Sequence, residues 1–208
     1  MSLRQLQAVF DRSHTSTSFT QTLPIQKTSV GIWVPTPLEV IDAAGGLLKD
    51  RGWLDASQPG HLLDAGTGDG RVGMLLSRLD ATRVVYGIEH DPRLYDRARE
   101  NLEKLGEKGL IDPDLVQIVE GNYCDVSTYR GARIAMRQTH LIFNYPDGNQ
   151  QQLGQFIMAH AGAQTKLCLL SHDRTLDLDE LRLEDRFDVG VSNEPEWRLS
   201  VYGIGKNR

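Results

Sequence analysis

From His61 onward the chain alternates short aliphatic runs with stretches whose apolar residues recur every three or four positions. That alternation predicts βαβ units around a parallel sheet. "HLLDAG" reads as a first strand, and "RVGMLLSRL" follows with Val72, Leu75, Leu76 and Leu79 on one helical face. "RVVYGIE" (83–89) predicts a second strand. The helix after it takes Asp91 as N-cap, Pro92 at its first position, an inner stripe of Leu94, Ala98, Leu102 and Leu105, and Gly106 as its stop. "LVQIVEG" (115–121), "THLIFNY" (139–145) and "TKLCLLS" (165–171) complete five parallel strands, with a helix between Asn149 and Ala161. "FDVGVSN" (187–193) and "RLSVYGIG" (198–205) are separated only by "EPEW", too short for a crossover, so the chain closes with an antiparallel hairpin. Upstream, "VPTPLEVIDAAGGLL" predicts a helix with Thr36 as N-cap, Pro37 at its first position and Glu39 completing a capping box.

The expected class is therefore α/β: a Rossmann-like, doubly wound, mostly parallel seven-stranded sheet with an antiparallel C-terminal hairpin. Residues 31–208 are read as one domain. Residues 1–30 are read as an N-terminal arm, because "SHTSTSFTQT" (13–22) is too polar to build a core and is either mobile or ordered by docking. The 208 residues, 39% hydrophobic and 25% charged, suit one globular domain. A net charge of −5 gives no general attraction to phosphate backbones, so nucleic acid is a disfavoured partner, although a local basic patch is compatible with that balance. No apolar run approaches the roughly 20 residues of a membrane span. Cys124 and Cys168 are widely spaced in strand-like runs and read as reduced core thiols, and a cytoplasmic location is expected.

The chemistry concentrates in "LLDAGTGDGRVG" (62–73). Glycine is costly to order, so this cluster implies a sharp turn or the close approach of a ligand. A dinucleotide fingerprint needs glycine where Arg71 stands, and a P-loop needs a Lys-Ser or Lys-Thr pair that is absent from the turn. Asp64, just before the turn, would repel a pyrophosphate but attract an ammonium or sulfonium group. Glu89 ends the second strand about 20 residues on, where an acid can take ribose hydroxyls. A ligand with a ribose and a cationic tail fits both acids. The bland alternatives are a capping acid at Asp64 and a solvated strand end at Glu89.

These residues resemble the class I S-adenosylmethionine-dependent methyltransferases. "LLDAGTGDG" is similar to their first motif, "GIEHD" to the acidic second, "EGNYCD" to the third and "LIFNYPDG" to the fourth, across about residues 30–205. "WVPTPLEVID" and "LLSHD" are similar more narrowly to a subgroup related to non-SET protein-lysine methyltransferases. The resemblance implies S-adenosylmethionine as cofactor, S-adenosylhomocysteine as product, and a protein lysine or small molecule as methyl acceptor, with an amine nitrogen favoured. It further implies cofactor contacts from Trp33, Thr36, Asp64, Gly66, Thr67, Gly68, Gly70, Glu89, His90, Asn122, Tyr123 and Asn144. Asn122 stands where the family most often has an aspartate. In "NYPDG", which is similar to the family's amine-methylating N-P-P-[YF] motif, Asn144 is retained while Tyr145 and Asp147 depart from the pattern; Asn144, Tyr145 and Asp147 are the candidate catalytic residues. A plain Pro-Asp-Gly turn is the alternative.

His172 and Asp173 are candidates for the same rim, or an idle loop. The six acids of "DLDELRLEDRFD" (177–188) read as a solvated face, or as an attraction for a basic substrate. Trp33 and Tyr202 either wall a pocket or belong to the core. Two other readings remain open: a non-catalytic cofactor-binding or scaffold protein on the same fold, and an NAD-dependent oxidoreductase, which Arg71 and Asp64 disfavour.

Overall fold

The computed structural model describes residues 2–14, 26–27, 32–55, 57, 59–172, 178–191 and 196–205. The elements in chain order are α1 (Leu3–His14), β1 (Gln26–Lys27), β2 (Ile32–Trp33), α2 (Leu38–Asp50), β3 (His61–Ala65), α3 (Arg71–Leu79), β4 (Val85–Glu89), α4 (Pro92–Glu107), β5 (Val116–Glu120), α5 (Val126–Gly131), β6 (Thr139–Asn144), α6 (Gln150–His160), β7 (Lys166–Ser171), β8 (Arg182–Val189) and β9 (Trp197–Gly203). Seven strands form one sheet in the order β5-β4-β3-β6-β7-β9-β8. β5 to β7 pair in parallel and β9 and β8 pair antiparallel, as the alternation and the short final connection require. β1 and β2 pair separately, Gln26 opposite Trp33.

Alternating strand residues feed two cores. Leu62, Val85, Leu141, Phe143 and Cys168 pack with α1, α2 and α3. Leu63, Ala65, Ile88, Ile142 and Leu167 pack with Tyr129 of α5 and with Leu153, Phe156 and Ile157 of α6. The period of two along each strand places neighbours on opposite faces, so both faces of the parallel sheet are covered.

Several boundaries differ from the sequence reading. α4 passes through Gly106 and ends at Glu107, because the left-handed residue is Gly109 (φ 61°). Leu110 N–H donates to Leu105 O (2.9 Å) and Gly109 N–H to Gly106 O (2.8 Å), closing a Schellman motif. The capping box before α2 does not form: Pro37, extended at ψ 139°, occupies the N-cap position with no side-chain cap, and Thr36 lies outside the helix. The hairpin is shifted too, since β8 begins at Arg182 and ends at Val189. Most of the acid-rich run is therefore strand, with Glu184 bonded to Lys166 (2.7 Å) and Asp185 paired with Arg51 (2.7 Å).

Within the N-terminal arm, α1 buries Leu6, Val9 and Phe10 at helical spacing. The remaining polar stretch, residues 15–22, lies outside the described residues, as do Asp173 and residues 192–195 of the hairpin connection. No helix among the described residues is long and apolar enough to cross a membrane.

Candidate functional site

The sequence order β3, β4, β5 runs one way across the sheet and then reverses to β6 on the other side of β3. Such a reversal leaves a crevice beyond the carboxyl ends of the strands. The glycine turn sits there. Gly66, Gly68 and Gly70 all have positive φ (76°, 60° and 85°), which explains why the turn is written in glycine. A Cβ at Gly68 would collide with the Trp33 indole, so the turn is left-handed and closely covered at once.

Asp64 is 2% exposed. Its Oδ2 accepts from the Thr67 hydroxyl and from Gly73 N–H (2.9 Å), the third residue of α3, so it caps that helix while facing the crevice. Burial pushes its pKa up to about 7, against the lowering effect of those two bonds. Glu89 is also buried. Its Oε2 accepts from Gly68 N–H (2.7 Å) and its Oε1 from Asp91 N–H (2.8 Å), and burial raises its pKa. Glu89 thus braces the glycine turn from the neighbouring strand.

Trp33, Thr36, Asp64, Gly66, Thr67, Glu89, His90, Tyr123, Tyr145 and Asp147 line one cavity of about 80 Å³, joined by Val72 and Leu94. Asn122 lines an adjoining cavity of about 270 Å³ that shares His90, Tyr123 and Asp147. Its Oδ1 accepts from Cys124 N–H (2.8 Å). Among the residues that line both cavities, the Tyr123 hydroxyl donates to Asp147 Oδ2 (2.6 Å), while Asp147 Oδ1 accepts from Asn149 N–H (2.9 Å). Burial raises the pKa of Tyr123, keeping it a donor, and pushes half-buried Cys124 up to about 12.

Asn144 ends β6 opposite Ala65 but is not among the residues lining either cavity. It is 1% exposed, its Nδ2 donates to Ala65 O (2.8 Å), and its Oδ1 is buried with no hydrogen-bond partner. Tyr202 is core, packed with Leu63 and Ile142. His172 packs against Trp197 at a tilt of 48° (ring centroids 3.7 Å apart) and is not among the cavity-lining residues, and Trp197 in turn packs on Tyr145 (5.9 Å).

One lining residue, Arg71, and one buried residue behind the lining, Asn101, went unread in the sequence. Arg71 donates through Nε and Nη2 to Asp69 (2.7 Å for Nη2) and through Nη1 to Thr36 O (3.0 Å). Its guanidinium carbon stands 5.1 Å from the Phe10 ring centre. Asn101, fully buried on α4, donates to Asp69 O (3.0 Å). The signal was available: an arginine two residues after an acid, at the first turn of an otherwise buried helix, needs a partner.

No protein-family model matches the chain, and no curated protein sequence matches it. Its fold, however, is shared with solved methyltransferases. An RNA methyltransferase from Salinibacter ruber in complex with S-adenosyl-L-homocysteine superposes with a TM-score of 0.62 at 21% identity, covering 84% of this chain and 96% of that one. A predicted O-methyltransferase from Agrobacterium tumefaciens gives 0.61 at 16% identity (83% and 82%). An S-adenosylmethionine-dependent methyltransferase from Aquifex aeolicus gives 0.60 at 16% identity (82% and 94%). At these identities the likeness establishes the architecture, which is the Rossmann-like methyltransferase fold with its reversed final hairpin.

Proposed function

We propose that this protein is an S-adenosylmethionine-dependent methyltransferase acting on an amine nitrogen, a protein lysine or a small amine. The observation that carries the reading is the pair of buried carboxylates, Asp64 and Glu89, converging on a left-handed glycine turn at the sheet's reversal point. Asp64 would repel the pyrophosphate of a dinucleotide, whereas a ribose at Glu89 and an ammonium at Asp64 suit both acids.

The donor set fits the cofactor. Glu89 would take the ribose hydroxyls, Asp64 the ammonium directly or through water, and the Gly66–Gly70 backbone would run beneath, with Trp33, Thr36, Thr67 and His90 around it. Asn122 and the Tyr123 backbone would meet the base in the adjoining cavity. The first cavity, of about 80 Å³, and the second, of about 270 Å³, share His90, Tyr123 and Asp147, and the cofactor would span the two. When bound, S-adenosylmethionine supplies an electrophilic methyl group on sulfur.

The chain's part is alignment, worth about 7–11 kcal/mol in well-oriented systems. The Tyr145 carbonyl and Asp147 would hold the acceptor nitrogen, joined by Asn144 once its amide turns from Ala65 O and brings its unpartnered Oδ1 to the crevice. A lysine's ordinary pKa near 10.4 must fall for the neutral amine to be present, and the ring of Tyr145 and the apolar Val34 and Pro35 beside it favour that form. The looser likeness to non-SET protein-lysine enzymes supports lysine as the acceptor, while nucleic acid is disfavoured by the chain's net negative charge.

The test measures S-adenosylhomocysteine release with lysine peptides, small amines and an RNA fragment. Methylated lysine or amine supports the reading, and a methylated RNA base overturns the acceptor. Asn144→Ala should lower turnover far more than cofactor affinity; equal losses in both would remove Asn144 from the acceptor's side. Cofactor binding without product from any acceptor would favour the non-catalytic alternative.

A further inference from the structure

A second concavity, outside the crevice, lies between α5, the short 3-10 turn at Met136–Gln138 and α6. It measures about 320 Å³ and is lined by carbon-rich side chains, including Val126, Ile134, Met136 and Phe156. Val126, 39% exposed, is the exposed large hydrophobic residue among the described residues. Tyr129 and Phe156 stack in its floor with ring centres 5.2 Å apart.

The rim is cationic. Arg130 and Arg137 line the groove and Arg133 lies on the loop between them, all three exposed and without a salt-bridge or side-chain hydrogen-bond partner among the described residues. There is no Asp or Glu from Val126 to Gln138 or along α6, in a chain with 28 acidic and 23 basic residues. Charge is therefore segregated here against the trend of the whole protein. Arg133 adds a second observation. Its φ of 58° puts it in the left-handed conformation that ends α5, with Ile134 N–H donating to Tyr129 O (2.8 Å) and Arg133 N–H to Arg130 O (3.2 Å). Glycine is the usual residue at that position, and another side chain there is strained. An outlier held under that strain points to function.

We infer that this groove docks an acidic amphipathic segment of a partner protein, its apolar side chains seated on Val126, Met136 and Phe156 and its carboxylates on Arg130, Arg133 and Arg137. An apolar floor with a charged rim is the arrangement that receives one face of a helix. A nucleic acid would also satisfy the arginines, but a base laid on these carbon walls would lose its hydrogen bonds with water and find none in return. A peptide's leucine or phenylalanine loses none.

The probe is a labelled synthetic amphipathic helix with Glu on one face and Leu and Phe on the other, titrated into the full chain by fluorescence anisotropy. Binding is expected, weakened about tenfold or more by Arg130→Glu with Arg137→Glu. Val126→Asp, at an exposed position, should weaken it similarly, and a peptide with Ser in place of Leu and Phe should not bind. Thermal unfolding verifies that each variant is folded. No binding, binding indifferent to the peptide's apolar residues, or single-stranded RNA binding that the arginine reversals abolish would each overturn the proposal.

Discussion

Two buried ion pairs lie at opposite ends of α3 and are built very differently. At the helix start, Arg71 and Asp69 share bonds through Nε and Nη2, and Nη1 reaches Thr36 O, so the guanidinium's hydrogen-bonding edges are used. At the helix end, Arg83 approaches Asp80 at 3.1 Å, yet its Nε, Nη1 and Nη2 have no geometrically sound hydrogen bond. Both arginines are 5% exposed, so burial does not separate them. The first pair ties Phe10 of α1, the Thr36 carbonyl and the glycine turn together beside the crevice; the second neutralises charge between the end of α3 and the start of β4. Burial of charge marks a site only when the charges organise backbone around a cavity.

Removing each arginine breaks this comparison open. Arg71→Ala removes the guanidinium that faces the buried Asp69 carboxylate, and unfolding free energy should fall by about 3–5 kcal/mol. Arg83→Ala likewise strands the buried Asp80 carboxylate without its ion-pair partner, but Asp80 Oδ1 keeps its bonds from Thr82 N–H and the Thr82 hydroxyl, so its cost should fall at the lower end of that range, about 3 kcal/mol. Urea unfolding of both variants checks the order, and equal costs would deny the distinction.

The same contrast extends along β3. Asp64→Ala, at the crevice end, should weaken S-adenosylmethionine binding about tenfold or more, near 1.4 kcal/mol. His61→Gln, at the other end, should leave it unchanged by calorimetry. His61 Nε2 pairs with the Thr139 hydroxyl (2.8 Å) and its ring stands edge-on to Tyr86, at the end of β3 away from the glycine turn.

These two groups also titrate in opposite senses. Burial lowers His61 to about 4, so its neutral form is favoured in the fold; its stability is present above about 6.5 and lost as pH falls toward 4. Asp64 is raised to about 7, so the contribution of its neutral form is present below about 4 and lost as pH rises to 7. The slopes oppose each other in one window. His61→Gln should therefore expose a fall in stability from pH 4 to 7 relative to the parent, and Asp64→Asn the reverse; parallel profiles in all three proteins would contradict both assignments.

The smallest effect concerns helix caps. Asp91 accepts from Arg93 N–H (3.0 Å) and Leu94 N–H (3.2 Å), and Asp91→Ala should cost about 1 kcal/mol, whereas Thr36→Ala should cost a few tenths. A larger loss at Thr36 would restore the capping box.

This last pair shows where the sequence was readable. Asp91-Pro92 and Thr36-Pro37 look alike as text, but Pro37 stays extended and the Thr36 carbonyl is taken by Arg71, a partner 35 positions away. The strands were legible because burial on both faces makes them continuous apolar runs, and the glycine turn because left-handed backbone needs glycine. β8 was misplaced because an edge strand mixing charge and apolar residues imitates a surface loop. α1 was passed over because Leu6, Val9 and Phe10 sit among polar residues, ahead of the polar stretch that set the reading of the arm. Of the candidate site, the lining acids followed from strand ends, but the inward turn of the Asn144 amide toward Ala65 O depends on packing between strands 79 residues apart.

The central claim is that the crevice around Asp64 and Glu89 is an S-adenosylmethionine site. The most direct measurement is thermal unfolding with S-adenosylmethionine, S-adenosylhomocysteine and NAD, for the parent and Glu89→Ala. At about 100 times its dissociation constant a ligand adds about 2.7 kcal/mol, or roughly 5–10 °C for a chain of this size. The account predicts that both sulfur ligands raise the midpoint, that NAD does not, and that Glu89→Ala abolishes the response. A parent protein indifferent to both sulfur ligands, or stabilised by NAD alone, would contradict it.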